Sequence, residues 1–134
     1  MEVQREETHP IQCEDDVVRV RQAVRQWATQ MRFGLVDQTK IVTAASELAR
    51  NTLVHGGGGQ MQLAAIQNDR SRGIRLTFSD TGPGIPDIAL ALRDGYSTGT
   101  GMGLGLSGSK RLMNEFELDS APGKGTRVTV IKWI

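Results

Sequence analysis

The sequence predicts an α+β fold, a two-layer α/β sandwich in which helices cover one face of a mixed, mostly antiparallel sheet. Three observations carry that expectation. Two long stretches in the first half repeat their apolar residues at helical spacing, two shorter stretches further on alternate apolar and polar, and a last β-rich stretch closes the chain behind a glycine turn. With 134 residues, 38% of them hydrophobic, the chain has the length for one domain over 1–134 with a single modest core.

Taken in order, a short extended lead-in over His9 to Cys13 comes first. Asp15 or Asp16 is placed to cap a helix whose apolar positions Val17, Val20, Val24, Trp27, Ala28 and Met31 recur at helical spacing, and Gly34 ends it. A second helix, about Val36 to Val54, gathers Ile41, Ala44, Ala45, Leu48 and Thr52 on one side and runs into four glycines, Gly56 to Gly59. The period then changes to two. Met61, Leu63 and Ala65 alternate with Gln60, Gln62 and Ala64; after a polar turn at Asn68 to Gly73, Ile74, Leu76 and Phe78 alternate with Arg75 and Thr77, which predicts a hairpin with one buried face. A glycine-proline loop and a short helix follow. A glycine-rich run leads into a helix of about Leu104 to Phe116, and the turn "APGKG" introduces a closing strand, Thr126 to Trp133.

Composition narrows the function classes. Sixteen Lys and Arg stand against 15 Asp and Glu, with no basic run interleaved with aromatics, so no nucleic-acid partner is expected. The start "MEVQREETHP" carries no apolar signal-peptide stretch and nothing approaches the length of a membrane span, so the expectation is a soluble, cytoplasmic protein without a membrane partner. The lone Cys13 has no partner for an internal disulfide.

The chemistry gathers in three places. In "SELARN", Glu47 and Asn51 lie four apart on the second helix, so a carboxylate and an amide project from one face a turn apart. In "FSDTGPGIP", Asp80 continues the register of Ile74, Leu76 and Phe78, which points its carboxylate to the helix-covered side of the sheet, where it needs a donor such as an exocyclic amine. Gly82 and Gly84 flank Pro83 and leave room for a flat ligand to lie against backbone. The third place is "STGTGMGLGLSGSK". Its "GLGLSG" matches G-x-G-x-x-G without the preceding buried strand of a dinucleotide fingerprint, and "GLGLSGSK" misses a Walker loop because Ser109 separates the last glycine from the lysine. What fits is a mobile loop closing onto a helix N-terminus, whose free amides and dipole favour a polyphosphate.

The order and spacing of "ELARN", "DTGPGI", "GTGMGLG" and "GKGT" resemble the four nucleotide-binding boxes of the gyrase, heat-shock chaperone, histidine kinase and MutL (GHKL) superfamily of ATPases and kinases. Within it, "SELARN", "DTGPGIPDI", "DGYST" and "SGSKRLMNEFELDSAPGKGT" are similar to the switch serine/threonine-protein kinases of the bacterial stressosome, the RsbT type, over nearly the whole chain. The resemblance implies the Bergerat fold with ATP or ADP and Mg²⁺ as cofactors. It implies that Glu47 is the general base and that Asn51 completes the coordination of Mg²⁺ on the phosphates. Asp80 would receive the adenine amine, with Gly82, Gly84 and Ile85 around the base and Thr126 supporting Asp80 through its hydroxyl and a water. Gly99, Gly101, Met102, Gly103, Leu104 and Gly105 would form the lid over the phosphates. Arg93, Lys110 and His55 fall in no box and are read as surface or structural residues.

The chain is too short for the phosphoacceptor hairpin of a histidine kinase or for a transducer domain. The resemblance therefore implies a free-standing kinase. Its substrates would be antagonist and scaffold proteins of the sulfate-transporter and anti-sigma antagonist (STAS) type, and once released it would engage the regulatory domain of a PP2C-type phosphatase in a stress-signalling cascade. Two other readings stand beside it: an anti-sigma factor kinase that holds a sigma factor directly, and a non-catalytic adaptor whose shape is set by nucleotide.

Overall fold

The computed structural model describes residues 1–85, 92 and 106–134. Outside the described residues lie the expected short helix after the glycine-proline loop, Arg93, and the lid positions Gly99, Gly101, Met102, Gly103, Leu104 and Gly105. The elements run β1 (Glu2–Ile11), α1 (Glu14–Gln30), α2 (Leu35–Val54), β2 (Gly59–Gln67), β3 (Arg72–Asp80), α3 (Leu106–Leu112), β4 (Glu115–Ser120) and β5 (Thr126–Trp133). The five strands form one sheet in the order β1-β2-β3-β5-β4, and all four described pairings are antiparallel.

Period-two patterning decides which side of the sheet is covered. Met61, Leu63, Ile74, Leu76, Phe78, Val128 and Val130 point inward and are at most 4% exposed. They meet Val17, Val20, Val24, Trp27 and Ala28 of α1 and Ile41, Ala44, Ala45 and Leu48 of α2 in one core. Each fully buried aliphatic or aromatic side chain of that kind contributes about 1.5–3 kcal/mol, which holds two helices whose own sequences would be marginal in water. On the other side of the sheet, among the described residues, a small apolar patch of Ala64, Ile66 and Ile131 with Trp133 is sheltered.

Several local expectations are corrected. The N-cap of α1 is Cys13, not Asp15 or Asp16, and its side chain makes no capping bond. Asp16 instead sits at the end of the first turn and reaches back, accepting the Gln12 amide at 2.9 Å and Arg19 Nη1 at 2.8 Å. The amide bond is the main reason its carboxyl stays below the usual aspartate range, with Arg19 adding to the effect. Gly34 does not end α1. The helix stops at Gln30, Arg32 takes the left-handed turn with φ 65°, and Gly34 is the N-cap of α2.

Both outer strands differ from expectation. β1 is ten residues long, not a short lead-in, and β4 occupies Glu115–Ser120 where the helix was expected to run on to Phe116. Edge strands are exposed on most of their surface, so β1 shows no apolar alternation at all. β1 is fastened by polar contacts: the Arg5 guanidinium lies 4.3 Å over the Trp27 ring, and Glu7 accepts from Arg5 at 2.9 Å and from Trp27 Nε1 at 3.3 Å. In β4, Phe116 and Leu118 do alternate with Glu115, Glu117 and Asp119, and they face Val130 and Val128 of β5. Lys132, also on β5, is buried and donates to the Leu112 carbonyl at 3.2 Å, which ties the end of α3 to the sheet.

Candidate functional site

The C-terminal end of α2, the end of β3 and the start of β5 converge at one end of the sandwich, because antiparallel pairing sets Asp80 opposite Thr126. The pocket between them holds about 440 Å³ of empty space, its open mouth included. Leu48, Phe78, Ile85, Leu106 and Val128 make its apolar walls; Asn51, Thr52, His55, Asp80 and Thr126 bring polar groups. An apolar cleft with a few convergent polar groups is the usual form of a small-molecule site.

Asp80 lies on the covered side, as the strand register predicts, and lines this pocket. The Gly82 amide donates to Asp80 Oδ1 at 2.9 Å. Burial pushes the Asp80 carboxyl above the ordinary aspartate value, and the backbone amides of Gly82 and Thr126 pull in the opposite direction without cancelling it. The close approach of α2's end requires Gly56: a Cβ there would stand 2.3 Å from Asp80 Cγ. Any side chain at position 56 would displace the carboxylate.

The glycine-proline loop is held from below by the β4–β5 hairpin. Gly123 N–H donates to the Pro83 carbonyl at 2.7 Å, and Ile85 N–H donates to Ser120 Oγ at 2.8 Å. Gly84 has φ 77°, and a Cβ would lie 2.0 Å from the Ala121 carbonyl oxygen, so the backbone demands glycine there whatever binds above it. Gly84→Ala is expected to lower folding stability by roughly 1–3 kcal/mol, the cost of a non-glycine residue forced into that region. A denaturant melt checks it, and a midpoint equal to the parent's would refute the assignment.

The pocket thus brings together Asn51, Asp80, Gly84, Ile85 and Thr126, with Gly82 bonded to Asp80. It does not include Glu47. That side chain is exposed one turn before Asn51 and lines a separate groove between α1 and α2 with Arg21, Gln22, Arg25 and Thr43. His55, read from sequence as structural, lines the pocket. Ser120, which sequence reasoning passed over, proves to be a hydrogen-bond hub: besides accepting from Ile85 it lies 2.9 Å from the Gly125 carbonyl and 2.9 Å from the Thr126 hydroxyl. Its signal was its place just before the tight turn "APGKG". Among the described residues no helix is long and apolar enough to cross a membrane.

The comparisons with known proteins agree with this arrangement. Residues 36–133 match the family model described as histidine kinase-, DNA gyrase B- and HSP90-like ATPase. The serine/threonine-protein kinase RsbT of Bacillus subtilis (strain 168) is 46% identical over 124 residues, 92% of this chain and 93% of that protein. The anti-sigma F factor of Thermoanaerobacter sp. (strain X514) is 32% identical over 119 residues, 85% of this chain and 82% of the other. Among solved structures, the RsbU and RsbW domains of Rv1364c from Mycobacterium tuberculosis superpose with a TM-score of 0.65 at 20% identity, covering 96% of this chain and 32% of that one. The SiaB-SiaC complex from Pseudomonas aeruginosa gives 0.56 at 15% identity, covering 98% and 91%. A family match over most of the chain, joined to a sandwich that gathers the "ELARN", "DTGPGI" and "GKGT" boxes around one pocket, settles the assignment: this chain belongs to the histidine kinase-, DNA gyrase B- and HSP90-like ATPase family.

Proposed function

We propose that this chain is a Mg²⁺- and ATP-dependent serine/threonine-protein kinase that acts by partner switching, phosphorylating STAS-domain antagonist or scaffold proteins in the cytoplasm. The observation that carries the nucleotide part is Asp80: an acceptor-only carboxylate, half buried, held by backbone amides at the end of an apolar slot. Such a group is matched by the exocyclic amine of adenine. What supports the kinase part is the 46% identity to a protein named as a serine/threonine-protein kinase over 92% of this chain.

In this reading Asn51, which lines the pocket, would supply its side-chain oxygen beside the phosphates. That donor suits Mg²⁺, a hard ion that keeps several waters and asks for few protein oxygens. Bound there, the ion would neutralise charge on the phosphates. Glu47, outside the pocket and exposed, is free to face a protein hydroxyl arriving from solvent and to take its proton. The lid positions Gly99, Gly101, Met102, Gly103, Leu104 and Gly105 remain the proposed wrap around the phosphates.

The deciding experiment incubates the protein with labelled ATP, Mg²⁺ and a purified STAS-domain protein. Label is expected on a serine or threonine of the STAS protein, and chelation of the metal is expected to abolish it. Absence of transfer, with ATP bound and the two proteins associated, would refute the kinase reading and leave the adaptor. The relative named an anti-sigma F factor favours a second reading, direct capture of a sigma factor. Co-purification tests it: a sigma factor in place of a STAS protein and a phosphatase regulatory domain would select it.

A further inference from the structure

We propose that Ser120 determines the base preference of the pocket by fixing the direction of the Thr126 hydroxyl hydrogen. The inference rests on the adenine reading above and deepens it by naming the residue, outside the pocket, that sets the discrimination against 6-oxopurines.

A serine hydroxyl has one hydrogen to give and two lone pairs to receive with. Ser120 Oγ has three close partners. The Ile85 N–H at 2.8 Å is only a donor, so it takes one lone pair. The Gly125 carbonyl at 2.9 Å is only an acceptor, so it takes the single hydrogen. The Thr126 hydroxyl at 2.9 Å must therefore be the donor in its bond, and it fills the second lone pair. Any other arrangement sets two acceptor oxygens against each other at 2.9 Å.

The consequence lies in the pocket, which Thr126 lines beside Asp80. With its hydrogen committed to Ser120, Thr126 Oγ1 presents only lone pairs there. Asp80 is likewise an acceptor, and the amides of Gly82 and Thr126 are directed to it. The Asp80–Thr126 side of the slot is thus a pair of acceptors. An amine at purine position 6 fits it; a carbonyl at that position, as in hypoxanthine or guanine, meets lone pairs with lone pairs. Ser120 touches no ligand in this account. It is a positioning residue, and the same hub locks the glycine-proline loop to the β4–β5 turn, so loop position and hydroxyl direction are set by one atom.

The test measures binding of Mg²⁺-ATP and Mg²⁺-ITP by calorimetry. The parent is expected to prefer ATP. In Ser120→Ala the Thr126 hydroxyl is released, can turn its hydrogen into the pocket and can donate to the 6-oxo group, so the ATP:ITP affinity ratio is expected to fall about tenfold, the worth of one such mismatch. Ser120→Thr, which keeps the hydroxyl, is expected to restore it. A purely structural role would weaken both nucleotides in parallel and leave the ratio unchanged; that result overturns the proposal. Should Ser120→Ala fail to fold, Thr126→Val tests the same claim from the other side: a near-isosteric residue without the acceptor must lower the ratio, and an unaltered ratio refutes it. A parent protein that binds neither nucleotide would instead overturn the nucleotide reading itself.

Discussion

Replacing Glu47 by alanine is expected to lower phosphate transfer to a STAS partner by roughly 10²–10⁴-fold, the usual worth of a general base, while leaving ATP affinity close to that of the parent. The geometry separates the two quantities. Glu47 is exposed and lies in the groove between α1 and α2, whereas the adenine-side pocket is built by Asn51, Asp80, Thr126 and their apolar neighbours. Removing its carboxylate takes nothing from the pocket wall. Asn51→Ala is the internal contrast, because losing the proposed Mg²⁺ ligand should weaken nucleotide binding as well as turnover. The two measurements are calorimetry with ATP and a single-turnover transfer assay. A Glu47→Ala protein that binds ATP, binds its partner and transfers phosphate at the parental rate would remove Glu47 from the reaction.

Asp80→Asn is expected to weaken ATP binding about 10- to 100-fold, corresponding to a loss of roughly 1–3 kcal/mol for a mismatched buried polar group. The Gly82 and Thr126 amides, which both donate to the carboxylate, would compete for the single carbonyl oxygen of the new side chain and so turn its NH₂ towards the base. Donor then faces donor. Folding stability of the empty protein should move the other way. The folded-state pKa of Asp80 is raised above its unfolded value of 3.8 by burial. Between those two values the native state holds the proton more tightly, so ionising Asp80 costs stability as pH rises through the folded pKa, and the cost is fully present above it. Asp80→Asn removes it, and a denaturant melt at neutral pH should find the variant at least as stable as the parent. Below the unfolded pKa the two should converge. A variant that keeps full ATP affinity would take Asp80 out of the site; one that binds weakly but is also markedly less stable would make the defect one of folding.

Where apolar side chains repeat at a fixed period, the sequence alone sufficed. α2 differs from the reading by one residue at its start, β3 carries the expected inward residues, β5 has the expected bounds, and the inward direction of Asp80 followed from counting by twos from Ile74. The boxes around Asn51, Asp80, Gly84 and Thr126 were legible because each is a short local pattern whose residue types are dictated by turn geometry or by the ligand chemistry. β1 and β4 were not: β1 has no apolar alternation of its own and β4 only the two apolar residues Phe116 and Leu118, so each gains its place from hydrogen bonds to a neighbouring strand; Glu7 pairs with Leu63, and Phe116 with Val130.

The same distinction runs through the site. That Asp80 turns inward could be read from spacing, and Asn51 and Thr126 were singled out by the resemblance of their boxes, but only the folded chain separates Glu47 from the pocket, brings His55 to its wall and sets Gly56 against Asp80. Ser120 is the clearest case. Its hydroxyl acquires a direction only when β4, the β4–β5 turn and the glycine-proline loop meet around it, because a hydrogen atom is assigned by the full set of its neighbours, and those neighbours are as many as 35 residues apart in the sequence.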